Sequence, residues 1–128
     1  MRLLLDTHAF LWWVTDDRRL TAAARGLIGD GANEVFFSVA SVWEIVVKSS
    51  LGRISLEGDW DAVIAELVEA NAFQVLPIHL RHALTVGGLP DLHRDPFDRM
   101  LVAQAVSEEL VMLSADRQLA KYPVQIRW

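Results

Sequence analysis

The sequence predicts an α/β fold, a three-layer α/β/α sandwich around a central, mostly parallel sheet, contained in a single domain of residues 1–128. Three observations carry that expectation. Short apolar runs at 3–5, 35–39, 73–76 and 110–113 alternate with longer segments of helical character, the order in which β-α-β units are written. The first run, LLL, has no polar residue, and strands alternating with helices in so short a chain imply a parallel sheet covered on both faces. The length of 128 residues is enough for one substantial core and leaves little room for a second.

Taken in order, residues 3–5 form the first strand, broken off by Asp6, Thr7 and His8. AFLWWVTDD is too rich in bulky side chains for a loop and predicts a packed helix with an irregular end at 15–17. LTAAARGLIGDG reads as a helix rich in alanine and leucine that stops at its glycines. After the strand at 35–39, Ser41-x-x-Glu44 suggests a capping box that opens a helix over 41–51, with Val42, Ile45, Val46 and Ser49 on its buried face and Gly52 beyond its end. Residues 59–72 place Val63, Ile64, Leu67 and Val68 on one face of an amphipathic helix.

The strand at 73–76 is stopped by Pro77, and HLRHALTVGG follows as a short helix closed by glycine. GLPDLHRDP is a polar connection. Asp95-Pro96-Phe97-Asp98 then has the form of a helix start, with Asp95 as N-cap and Pro96 at the first helical position, and the helix runs on through RMLVAQAVSEE. Residues 110–113 are the fourth strand, 118–120 one short turn, and 124–126 a terminal strand.

Composition narrows the function. With 52% hydrophobic and 23% charged residues the chain is neither disordered nor a repeat array, and no span is apolar enough to cross a membrane, so the cytoplasm is the expected compartment. The absence of cysteine excludes disulfides, thiolate catalysis and cysteine-ligated zinc. A formal charge of −5 opposes indiscriminate binding of polyanions, although Arg94, Arg99, Lys48 and Arg53 could hold one locally.

The acids carry the chemistry. Asp6 closes LLLD, Glu44 follows VFFSVASVW, Asp98 lies in RDPFD and Asp116 closes VMLSAD. If those segments are parallel strands or follow them, their ends bring the carboxylates into one anionic pocket, and a divalent cation is the simplest reason to tolerate the repulsion. Oxygen ligands suit Mg²⁺ or Mn²⁺, and ions so held can activate water against a phosphodiester.

Each acid also has a structural role to weigh. Asp6 can cap the AFLWW helix, Glu44 can complete the capping box or pair with Lys48, and Asp116 can cap the RQLA turn. Asp95 and Asp98 compete for one place in the pocket. Asp95 has the better capping position, leaving Asp98 one turn inside the helix. Ser114 and Thr7 can orient a ligand or water.

His8, His79, His82 and His93 show no zinc spacing, and surface or helix-end positions suit them better than ligation. His8 and His93 lie nearest the expected pocket and could touch phosphate. Trp12, Trp13, Trp43, Phe10 and Phe97 could stack on bases, but core or dimer-interface positions fit them better.

LLLDTHAFLWW, SVASVWEIVVKSSLGRI, LPI at 76–78, HRDPFDRMLVAQA and LVMLSAD together resemble, in order and over essentially the whole chain, the PIN-domain nucleases and among them the VapC toxins of VapBC toxin-antitoxin pairs. The resemblance implies Asp6, Glu44, Asp98 and Asp116 at the family's acidic positions, with Ser38 or Ser41 as the hydroxyl before the glutamate. It also implies Mg²⁺- or Mn²⁺-dependent endoribonuclease activity on RNA, a homodimer, and a small VapB-like antitoxin that occupies the active-site groove. Arg94 and Arg99 are candidates to neutralise substrate phosphate.

Two other readings share these features. A phospho-receiver domain also gathers strand-end acids around Mg²⁺, but needs paired acids near the first strand and an acceptor aspartate at the middle one, and FQVLPI ends without an acid. A catalytically silent binding domain would use the same acids only as caps. Convergence in space separates it from a nuclease, since caps need not meet and metal ligands must.

Overall fold

Strands β1 (Arg2–Leu5), β2 (Glu34–Ser38), β3 (Gln74–Leu76), β4 (Val111–Leu113) and β5 (Ile126–Arg127) form one sheet in the order β3-β2-β1-β4-β5. This is the arrangement in a computed structural model that describes residues 1–52, 60–92 and 95–128. All four strand pairings are parallel, with Leu4 opposite Phe36 on one side and Met112 on the other. The central strand is β1, and its apolar run meets that position because a strand flanked on both edges and covered on both faces has no side open to water.

Side chains alternate across the sheet. Leu3, Leu5, Val35, Phe37 and Leu113 face one layer, with Phe10 of α1 (Thr7–Val14), Ala24 and Ile28 of α2 (Ala22–Gly29), Ile45 of α3 (Val39–Ser50), and Ile64 and Val68 of α4 (Trp60–Ala70). Phe10 stacks on Phe37 with ring centroids 3.9 Å apart. Leu4 and Met112 face the other layer, where Leu101, Val102 and Ala105 of α6 (Pro96–Glu108) close over them. Helix α5 (Leu80–Gly87) lies against α6. Burying each such large side chain is worth about 1.5–3 kcal/mol, so the two layers hold the sheet rigid between them.

The strand order fixes where a ligand can sit. From β1 the chain builds outward through β2 to β3, then returns to lay β4 on the opposite edge of β1. Crossovers from β1 and β4 therefore leave in opposite directions and open a crevice at the carboxyl ends of those two strands. Asp6 leaves β1 there, its amide bonded to the Leu113 carbonyl of β4 at 3.1 Å. By the same order β3 is an edge strand, so its end lies two strands from β1. That removes the phospho-receiver arrangement, in which the acceptor strand stands beside the first.

Some boundaries differ from the sequence reading. Residue 39 belongs to α3, not to β2, and the N-cap is Ser38, whose hydroxyl accepts from the Ala40 amide at 3.0 Å. Ser41 and Glu44 consequently stand inside the helix and form no capping box. The apolar run VFFSVASVW passes from strand to helix without punctuation, so the sequence does not mark the boundary. The buried face of α3 is also different: Ala40, Ser41, Glu44 and Ile45 point inward while Val46 is exposed, because α3 packs against α1 and α6 at the acidic end. The terminal strand is displaced to Ile126–Arg127. Residues 53–59, 93 and 94, and with them Arg53, His93 and Arg94, lie outside the described residues.

Candidate functional site

Asp6 is the N-cap of α1, with Oδ1 accepting from the Ala9 amide at 2.7 Å and Oδ2 from the Ser114 hydroxyl. Ser114, 1% exposed after β4, also accepts from the Asp116 amide at 3.1 Å, so one hydroxyl locks the acids that follow the two central strands. Asp116 caps the 3₁₀ turn Arg117–Lys121 through Oδ1 and the Gln118 amide at 3.0 Å. Burial pushes the Asp6 carboxyl up from the ordinary range, against the hydrogen bonds from Ser114 and Ala9 and the charge of His8, while Glu44 pushes it further up.

Asp95 and Asp98 divide their roles. Asp95 caps α6, accepting from the Phe97 and Asp98 amides at 2.8 and 3.2 Å. Asp98 stands in the first turn, half-buried, and its pKa is raised to about 7, by burial first and then by the negative charges of Asp95, Glu44, Asp6 and Asp116. The carboxyls that repel it come from four separate stretches of the chain.

Glu44 is 3% exposed. The Thr7 hydroxyl has a single proton to give; it donates to the Glu44 carboxylate and pairs with the Ser41 hydroxyl at 3.0 Å. The Lys48 ammonium, one turn on, donates to the other oxygen of Glu44. Burial works against that ammonium, yet its pKa is raised by the hydrogen bond and charge of Glu44 and the charges of Asp95 and Asp98. Lys48 is thus the counter-charge held against the acidic group. Ser41 touches the hydroxyl that holds Glu44, whereas Ser38 turns away to Gln104 of α6.

Asp6, Asp98 and Asp116 line a cavity of about 330 Å³ whose wall also includes His8, Trp12 and Arg19. Among the described residues no three His, Asp or Glu side chains, as placed, are close enough to enclose an ion. Their chemistry nevertheless fits a hard divalent cation: the donors are all oxygen, and amides or hydroxyls orient Asp6 and Asp116. Arg99 does not line the cavity. Its Nη1 donates to the Pro90 carbonyl at 2.9 Å and the Tyr122 hydroxyl at 3.3 Å, and its Nη2 to the Val86 carbonyl at 3.2 Å, tying the end of α5 to α6.

Sequence reasoning passed over Arg19, which only the turn after α1 brings to the cavity. It also set His82 at a surface or helix end. His82 does stand in the first turn of α5, but it is fully buried. A wider cavity of about 500 Å³, walled by Val42, Val46, Ile64 and Val68, is mostly apolar, with Glu69 as its one acid among the described residues.

The PIN domain model matches residues 3–125. The chain is 29% identical over 124 residues to ribonuclease VapC22 of Mycobacterium tuberculosis, covering 94% of this chain and 91% of that one. In fold it is similar to VapBC2 from Rickettsia felis, solved bound to a DNA fragment from their promoter, with a TM-score of 0.74 at 10% identity over 99% of this chain and 98% of the other. DNA-bound VapBC from Salmonella typhimurium gives a TM-score of 0.71 at 17% identity, covering 99% and 97%. With the strand order, the acid-lined crevice and the family match in agreement, the chain belongs to the PIN domain family and is homologous to VapC.

Proposed function

We propose that this protein is a Mg²⁺- or Mn²⁺-dependent endoribonuclease, the toxin of a type II toxin-antitoxin pair, acting through one nuclease domain over residues 1–128. The observation that supports this best is that Asp6, Asp98 and Asp116 line one cavity, where burial first and then the charges of Asp95, Glu44, Asp6 and Asp116 raise the pKa of Asp98 to about 7. Gathering like charge costs stability, and a bound proton or a bound cation relieves that cost.

Asp6, Glu44, Asp98 and Asp116 would hold the metal. When bound, it supplies Lewis acidity toward phosphate and water. The chain supplies position: Ser114 and the Ala9 amide aim Asp6, Thr7 and Ser41 hold Glu44, and the cap made by Asp95 sets the first turn from which Asp98 projects. His8, on the cavity wall, is placed to meet a phosphate oxygen.

The partners that follow are an RNA substrate, a second copy of the chain and a small VapB-like antitoxin, in the cytoplasm where all three meet. Among the described residues no helix is long and apolar enough to cross a membrane. Exposed Trp43, Val46, Leu80 and Leu84 offer apolar surface for the protein partners.

The silent-domain reading has one observation in its favour: Asp6, Asp95 and Asp116 each accept a first-turn amide. It accounts less well for Glu44, which is buried inside α3 rather than at its cap. Cleavage of total RNA by wild type and Asp6→Ala in Mg²⁺, Mn²⁺ and EDTA tests the nuclease reading. Wild type is expected to cut with metal and not in EDTA, and the variant to be slower by roughly a hundredfold or more. Equal cleavage by both, or cleavage that survives EDTA, rejects it.

A further inference from the structure

A carboxylate pocket that receives RNA has an electrostatic problem: the backbone flanking the cleaved bond is as negative as the pocket itself. Some fixed positive group must hold the strand beside it. The described arginines and lysines near the sheet end are mostly committed elsewhere, Lys48 to Glu44, Arg99 to backbone carbonyls, and Arg25 to Asp16 and the Asp17 carbonyl. Arg19 is different. Among the described residues lining the acidic cavity, it is the one with a permanent positive charge.

Arg19 is also already ordered. Asp17 Oδ1 accepts from its backbone amide at 2.9 Å and its Nε at 3.0 Å, and Oδ2 accepts from Nη2 at 2.8 Å. The guanidinium carbon lies 4.7 Å from the centre of the Trp12 ring. Trp12 is in turn braced by the edge-on ring of Trp128 at 5.6 Å and by His8 at 5.5 Å. An exposed ion pair two residues apart in sequence adds little stability, so this arrangement is poorly explained as a stabilising device. It does fix a long, entropically costly side chain, with Nη1 outside the Asp17 fork, on the rim of the site.

We infer that Arg19, backed by Trp12, is a substrate-positioning residue that takes an RNA backbone phosphate adjacent to the one cleaved. This rests on the nuclease reading above. The ordering by Asp17 and Trp12 lets the guanidinium bind without first being immobilised, and a planar donor suits a phosphate's paired oxygens. Arg19 acts on the approach of the strand, and the acids act on the bond.

The test measures binding apart from cleavage. In an Asp6→Asn background, a fluorescein-labelled short single-stranded RNA is titrated by anisotropy over a salt series, with Arg19→Ala, Arg19→Lys and, as a charge control on α5, Arg81→Ala. The expected result is a roughly tenfold loss of affinity for Arg19→Ala and a log-log salt slope shallower by about 0.7, the share of one single-strand phosphate. Arg19→Lys should recover the slope and only part of the affinity, and Arg81→Ala should keep the slope. With Asp6 intact, the loss in Arg19→Ala should fall more on KM than on kcat. Unchanged affinity and slope in Arg19→Ala overturn the inference even if cleavage still depends on Asp6. RNA binding that depends on Arg19 in a protein that never cleaves would instead keep the subsite and remove the nuclease reading.

Discussion

Among the described residues two clusters of polar side chains are buried, and they are built on opposite terms. Beside the acidic site runs a second chain of hydrogen bonds, from the Ser38 hydroxyl to Gln104, from Gln104 to the Pro77 carbonyl and toward His82 Nδ1 at 3.4 Å, and from His82 to Glu108 at 2.7 Å. His82 Nδ1 also accepts the His79 amide at 3.0 Å, which assigns the ring proton to Nε2 and aims it at Glu108. Ser38, His82 and Gln104 are fully buried, and Arg81 closes the outer end on Glu108. Every donor there has an acceptor and the charges balance. In the acidic site the hydrogen bonds are as carefully made, but like charges crowd together: Asp95, Glu44, Asp6 and Asp116 all push the Asp98 pKa up, and Lys48 pairs with Glu44. The balanced network holds α5, α6 and the start of α3 together, whereas the acidic one gathers like charge at the end of the sheet.

Breaking the balanced network should cost the most stability. His82→Ala removes a buried ring and the link between Gln104 and Glu108, and is expected to lower unfolding free energy by about 2–4 kcal/mol while leaving Mn²⁺ affinity unchanged. Chemical denaturation and calorimetric titration measure the two separately. A large change in metal affinity would mean that the regions are coupled and the contrast is wrong.

The pH dependence sharpens the other side. Asp98 titrates near 7 folded and near 3.8 unfolded, so between those values the folded state keeps a proton that the unfolded chain has lost. Stability without metal therefore falls as pH rises through that window, on the order of 2 kcal/mol once solvent screening is allowed for. Asp6 is shifted in the same direction. Thermal melts in EDTA at pH 5 and pH 8 should show the fall, Mn²⁺ should reverse it, and Asp98→Asn should flatten it. A melting temperature that rises with pH in EDTA would contradict the burial of like charge.

The smallest effect concerns the counter-charge. Lys48→Met keeps the stem and removes the ammonium, so Mn²⁺ should bind roughly fivefold tighter while the metal-free protein loses about 1 kcal/mol. Weaker Mn²⁺ binding in that variant would mean that Lys48 orients Glu44 more than it competes with a cation.

Much of the fold was readable because burial writes itself into composition. LLL and VML had to be interior strands, and Asp95-Pro96 marked the start of α6 by the chemistry of caps. The start of α3 was not readable, since an apolar run continues from β2 into the helix and Ser38 caps as well as Ser41 would. Asp6, Asp98 and Asp116 could be nominated from their places after strands or inside a helix. The choice of Asp98 over Asp95 for the interior position followed from capping rules, and the structure places Asp95 at the cap. Arg19 carried no pattern at all, and Arg99, which looked available for phosphate, is spent on carbonyls.

The chain by itself determined which segments must leave water and which acids stand at their ends, because hydrophobic periodicity and capping are local properties that neighbouring residues settle between them. Only the tertiary structure decided that Asp6, Asp98 and Asp116 line one cavity, that His82 is interior and that Arg19 reaches the rim. Those facts depend on strand order and on the reversal between β1 and β4, and charges that meet across a hundred residues leave no mark on the sequence around either one.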